Sequence, residues 1–231
     1  MSNATAWDSA RALERIRGLK HLEGALLPIL HALQEEFGYV DHAAVPVIAK
    51  ELNLPESLGV RFILPHAPRR PVTINGGMVM RAWYDIAYTD IGRTPDLEGI
   101  AESLREVNEF VEMEKSAGIP AQRILVAGFS QGGVLALEAI SQFQSGIGGA
   151  IALSGYLARP NSIPEAIGSQ KVFLAHGTQD PIVPFELGQV ARSELESKGY
   201  AVTWGEWQMP HSVCLEEIEA IRTWIIEILG D

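Results

Sequence analysis

Two textures divide the chain. Over residues 1–54 apolar positions recur at helical spacing. Three helices are expected there: Trp7–Lys20, Ala25–Phe37 closed by Gly38, and His42–Leu52 opened by Asp41 as N-cap. From Pro55 onward short β-branched runs alternate with long periodic segments, and Val60–Leu64, Ile124–Phe129, Ala150–Leu153, Val172–Ala175 and Ala201–Trp207 are the expected strands. Continuous apolarity in all but the last implies burial on both faces, which points to an α/β fold with a mostly parallel sheet flanked by helices. One intervening helix starts with Thr94 as N-cap and Pro95 at its first position. It carries Leu97, Ile100, Leu104, Val107 and Val111 on one face and ends near Gly118. The last helix repeats the stripe with Ile218, Ile221, Trp224, Ile225 and Ile228. Pro65–Tyr84 and Arg159–Gln170, rich in Pro, Gly and Asn, read as loops. The pattern thus splits the chain into a helical segment, 1–54, and an α/β domain, 55–231.

Charge and cysteine content narrow the function. With 29 acidic against 18 basic residues and a net charge of -11, the surface is a poor match for phosphate, so no nucleic-acid partner is expected. A single cysteine cannot form an internal disulfide or a thiolate metal or cluster site. The longest apolar runs, at 25–30 and 223–229, contain Pro28 and Glu227 and fall short of the roughly 18 residues of a membrane span. No secretory signal follows the start, so a soluble, cytoplasmic protein is expected. Its oligomeric state is open, a homodimer included.

The decisive stretch is Ile124-Leu-Val-Ala-Gly128-Phe-Ser130-Gln-Gly132-Gly133-Val-Leu-Ala-Leu. Gly-x-Ser-x-Gly lies between an apolar strand and a helix, the context that makes it a nucleophile elbow. In so sharp a turn a Cβ at 128 or 132 is expected to clash with neighbouring backbone. The turn lifts the Ser130 hydroxyl to the helix N-terminus, where the macrodipole favours developing negative charge. The backbone N–H of Gln131 is then one oxyanion donor. The competing explanation is a glycine-rich helix start with an ordinary serine.

A nucleophilic serine needs a base, and the base needs an orienting acid. Asp180, in His176-Gly-Thr-Gln-Asp180-Pro-Ile-Val-Pro184, lies beyond a strand end, and His211 lies between the last strand and the last helix. The order Ser, Asp, His is the one this elbow uses. His176 ends an apolar strand and is read as a hydrogen-bonded structural histidine. Asp85, Asp90 and Glu138 are read as solvated or capping acids, and Cys214 as a buried, inert thiol. His21, His31 and His42 show no metal-ligand pairing.

From about Pro55 to Asp231 the chain resembles the carboxylesterase, lysophospholipase and acyl-protein thioesterase family of α/β-hydrolases. The residues behind this are Val60-Arg-Phe-Ile-Leu-Pro-His66-Ala-Pro68, Pro71-Val-Thr-Ile-Asn75-Gly-Gly77, Ala82-Trp83-Tyr84-Asp85, Gly128-Phe-Ser130-Gln-Gly-Gly133, His176-Gly-Thr-Gln-Asp180 and His211. The resemblance implies Ser130 as nucleophile, Asp180 as acid and His211 as base. It implies small acyl or aryl esters, or lysophospholipids, as substrates, and no metal or organic cofactor. The 65–84 loop would line the acyl or alcohol pocket, with Trp83 and Met80 as wall residues, core packing being an equal role for Trp83.

The family's N-terminal strands, and the His-Gly-x-Gly loop that supplies half of its oxyanion hole, have no counterpart here. Instead Leu22 to Leu52 is similar to the helical N-terminal part of the thioredoxin-like iron–sulfur subunit of NADH dehydrogenases and NAD-linked formate dehydrogenases, without that family's cluster cysteines. A chimera joined near Glu51–Leu58 is the expectation, with the missing strand's gap closed by pairing Val60–Leu64 directly with Ile124–Phe129. Two functions follow from these expectations: a serine esterase with an impaired oxyanion hole, or a catalytically inactive interaction module.

Overall fold

In a computed structural model the residues described are 8–19, 54–89, 92–143, 146–168 and 170–230. In chain order the helices are α1 (Ser9–Leu19), α2 (Leu97–Ser116), α3 (Gln131–Gln142), α4 (Phe185–Ser197) and α5 (Leu215–Leu229). The strands are β1 (Arg69–Val72), β2 (Met78–Arg81), β3 (Ile86–Thr89), β4 (Gly92–Pro95), β5 (Leu125–Phe129), β6 (Gly149–Leu153), β7 (Lys171–Gly177) and β8 (Ala201–Trp207). The helices expected over 25–37 and 42–52 lie outside the described residues.

The chain forms two compact units, one of residues 1–66 with 212–231 and the other of residues 67–211. In the first unit, α1 is opened by Asp8, whose Oδ1 accepts from Ala10 N at 2.8 Å. Helix α5 opens at Cys214, three residues before the buried Glu217. Residues 60–64, expected to be a strand, are not assigned to one, and Ile63 and Leu64 are exposed. The expected pairing with β5 is not among the ladders of the described residues, where the partner of β5 is β6. A β-branched run becomes a strand only where a neighbouring ladder takes its N–H and C=O groups.

The second unit is built on four parallel strands in the order β5-β6-β7-β8. Register puts Val126, Ala150, Val172 and Val202 in one row and Gly128, Ala152, Leu174 and Trp204 in the next. Against this face pack Leu104 and Val111 of α2, Ala136, Leu137 and Ile140 of α3, and Ala191 and Leu195 of α4. Each of the larger side chains, once withdrawn from water, contributes about 1.5–3 kcal/mol. Ile151 and Phe173 on the opposite face are also buried, as expected of a parallel sheet.

Around that sheet the polar segments depart from expectation. Residues 65–84 contain a hairpin, with β1 antiparallel to β2 from Arg69↔Arg81 to Val72↔Met78. Its reversal is the turn Thr73–Asn75 followed by Gly76 and Gly77, at φ 67° and 77°, backbone that glycine adopts without penalty. A second antiparallel pair, β3 with β4, takes in Thr94 and Pro95. The N-cap of α2 is therefore Asp96, not Thr94: its Oδ1 accepts from Gly99 N at 2.9 Å, and a carboxylate also suits the positive end of the helix dipole. The described residues of the segment 159–170 are irregular apart from the short turn Pro160–Ser162.

Candidate active site

The carboxyl ends of β5, β7 and β8 carry the residues singled out by sequence. Ser130 directly follows β5 with φ 54° and ψ -114°, and its N–H donates to Leu153 O at 2.8 Å. Such a conformation costs a non-glycine residue about 1–3 kcal/mol and persists only where the surroundings enforce it. Strand β5 and helix α3 enforce it by close approach. A Cβ on Gly128 would fall 2.1 Å from the Gly132 carbonyl carbon. The expected clash at Gly132 is not found, since a Cβ there would meet nothing within 4 Å; the crowding of the turn is borne by Gly128 alone of that pair.

Asp180 is held on three sides. Its Oδ1 accepts from Ile182 N at 2.8 Å and Val183 N at 2.9 Å, while Oδ2 lies 2.6 Å from His211 Nδ1. Burial alone would raise its pKa, but the His211 bond and the two backbone donors outweigh that and hold it below the usual carboxylate value. The meeting of Asp180 and His211 is arranged by backbone: Thr178 N donates to Trp207 O and Gln179 N to Met209 O, lacing the two loops together. The His211 ring lies 4.5 Å from the ring of Phe129, the residue before Ser130. Asp180, His211 and the elbow thus share one end of the sheet.

His176 is fully buried. Its Nε2 lies 2.8 Å from Val183 O, so that nitrogen carries the proton, and it is 3.6 Å from Asp180 Oδ2, too far for a hydrogen bond. Burial holds its pKa below the ordinary histidine value. Gly188 of α4 makes room for the ring, since a Cβ there would fall 2.5 Å from His176 Nδ1. Glu138, read as a solvated or capping acid, is instead buried and paired with Arg159 at 2.7 Å. Met80 lies exposed on β2, and Trp83 is half-buried against Tyr84, Ile100 and Val134.

Residues 41–229 match the model of the phospholipase/carboxylesterase family. The chain belongs to that family. This member of it is 39% identical over 182 residues to acyl-protein thioesterase 1 of Neurospora crassa, spanning 74% of each chain. It is 34% identical over 241 aligned residues to acyl-protein thioesterase 1 of Cryptococcus neoformans, covering 91% of this chain and 98% of the relative. Among solved structures it resembles Arabidopsis thaliana SOBER1, with TM-score 0.71, 28% identity, and 81% of this chain against 92% of the other. The phospholipase/carboxylesterase family member is accordingly a hydrolase with the α/β-hydrolase fold. The match begins at residue 41, upstream of the boundary expected between 54 and 55.

The sequence did not expose the contacts made by the Gln131 side chain, which reaches Trp83 N and Tyr84 O, nor the bonds from Thr73 to Asp85. Both join residues too far apart in the chain for spacing to signal them. Among the described residues no three His, Cys, Asp or Glu side chains gather as a metal ion would need, and no described helix is long and apolar enough to cross a membrane.

Proposed function

We propose that the protein hydrolyses carboxylic esters through an acyl-enzyme on Ser130, with His211 as base and Asp180 as its orienting acid. The observation that carries this is the 2.6 Å contact of Asp180 Oδ2 with His211 Nδ1 beside a serine in the strained elbow conformation. Because Nδ1–H donates to Asp180, Nε2 is left with its lone pair, the form a general base needs. His211 would take the Ser130 proton as Oγ attacks the acyl carbon, then return it to the leaving atom as the ester bond breaks. Water repeats the sequence on the acyl-enzyme. Neutral His176, donating to Val183 O, would brace the turn that presents Asp180.

The Gln131 backbone N–H, at the first position of α3, would face the developing oxyanion. With the family's second donor loop missing from the sequence, turnover is expected about 100- to 1,000-fold below that of a two-donor site. The names of the relatives extend the substrate class to acyl thioesters on proteins; small aryl esters and lysophospholipids remain within it. Trp83 and Met80 would form part of the wall for the acyl or alcohol group. The separate origin proposed for the N-terminal segment, joined near Glu51–Leu58, rests only on the resemblance of Leu22–Leu52 to the dehydrogenase subunit, and the family match from residue 41 overlaps that segment.

The test is hydrolysis of p-nitrophenyl acetate by the full chain, with Ser130→Ala alongside and a fluorophosphonate probe to label the activated hydroxyl. Wild type should turn over slowly and take the label at Ser130, and the variant should do neither. Undiminished turnover by Ser130→Ala removes Ser130 from the mechanism.

A further inference from the structure

Two imidazoles approach Asp180. His211 Nδ1 lies 2.6 Å from its Oδ2, and His176 Nε2 lies 3.6 Å from that same oxygen. Their surroundings differ: the His211 side chain is 16% exposed and the His176 side chain 0%. His176 also reaches Asp180 through bonds. Its Nε2–H donates to Val183 O at 2.8 Å, and Val183 N donates in turn to Asp180 Oδ1 at 2.9 Å. Val183 is thus held at its carbonyl by the ring and at its amide by the carboxylate.

The site is built to keep the His176 ring neutral. Burial holds its pKa below the ordinary histidine value. Nδ1, the nitrogen that a second proton would occupy, is buried and has no hydrogen-bond partner among the described residues. It faces the first turn of α4, where a Cβ on Gly188 would fall 2.5 Å away, and the positive end of a helix disfavours a cation. The Phe185 ring stands edge-on at 5.9 Å between centroids. The charged groups acting on the ring are Asp180, His211 and Glu186; Glu206, its register partner on β8, is bonded to Trp204 Nε1. Asp180 is the acid a charged ring would draw on, since Oδ2 already stands 3.6 Å from Nε2 and charges interact strongly where water is excluded.

We propose that His176 is a second imidazole on the orienting acid: while neutral it positions Asp180 for His211 through Val183, and when protonated it draws the carboxylate to itself, giving the enzyme an acid shut-off separate from protonation of His211. The proposal rests on the Ser130, His211 and Asp180 reading and adds a regulatory group to it. His176 is a positioning residue, because it acts on the reaction only through Asp180. Without the Nε2–H bond the Val183 turn is freed and Oδ2 is presented less accurately, which lowers kcat and leaves KM alone. With a charge on the ring, His211 shares the acceptor that fixes its tautomer.

The experiment follows p-nitrophenyl acetate hydrolysis by the full chain from about pH 4.5 to 8.5 in wild type, His176→Met and His176→Gln. Methionine fills the space without a donor. Glutamine carries an amide N–H near the place of Nε2–H and takes up no proton. Near pH 8, His176→Met should lose about 10- to 100-fold in kcat with KM unchanged, and His176→Gln should recover most of that loss. On the acid side, kcat/KM of wild type should fall with the slope of two protons and that of His176→Gln with the slope of one. Near-UV circular dichroism over the same range keeps the comparison to folded protein. A one-proton slope in wild type, equal slopes in both, or a loss in His176→Gln as deep as in His176→Met would overturn the proposal. If His176→Met fails to fold, Gly188→Ala, which presses the ring from its Nδ1 side, is read for the same fall in kcat at constant KM. Undiminished turnover in Ser130→Ala would instead break the underlying nucleophile assignment, a separate outcome.

Discussion

Asp180 shows how one side chain's surroundings decide its chemistry. Its carboxylate is buried, which on its own would favour the neutral acid, yet three donors keep it ionised. Asp180→Asn preserves the shape but offers an N–H where Oδ2 now accepts, so His211 would turn to the wrong tautomer. Turnover of an aryl ester should fall about 10,000-fold with little change in melting temperature. A melt lowered by many degrees with modest loss of turnover would mark Asp180 as a structural residue instead. The sequence exposed this residue because chain order and strand-end position are local signals. It did not expose the Gln131 amide contacts, whose partners lie 47 and 48 residues away, since only the folded sheet brings them together.

At the level of elements, the parallel strands were legible because burial on both faces demands runs of apolar residues, and β8 begins and ends where the alternation does. The hairpin and the β3–β4 pair were hidden by proline, glycine and arginine, which read as loop although Asn75-Gly76 is a turn signal. Residues 60–64 show the opposite failure: a good strand pattern over residues that form no strand among the described elements. Helix α4 supplies a test of packing. Gly188→Ala would gain about 1 kcal/mol of helix propensity. The new methyl would press on His176, whose ring is fixed by Val183 O, at a cost of about 1–3 kcal/mol. The balance is destabilising, and denaturant titration should show a lower midpoint; a raised midpoint would mean that the ring yields.

For the molecule as a whole, the buried acid of α5 sets a pH dependence. Burial raises the Glu217 pKa from 4.5 to about 8, against a lowering contribution from the Cys214 backbone N–H. A folded-state pKa above the unfolded one means stability that is complete below about pH 4.5 and lost as pH rises toward 8. His176 works at the other side: its depressed pKa gives stability present above 6.5 that is lost as pH falls below that value. Glu217→Gln should therefore raise the melting temperature at pH 8 to 9, by about 2–4 °C for each kcal/mol relieved, and flatten its alkaline decline. An unchanged alkaline limb would place the titrating group elsewhere. Ser130 adds a consequence of another sort. Its φ of 54° suits glycine better than serine, so the chain would gain stability by giving up the hydroxyl proposed as its nucleophile. Selection for robustness alone would drive this protein toward an inert, sturdier descendant, and any engineering campaign scored on heat resistance must also assay turnover at every round.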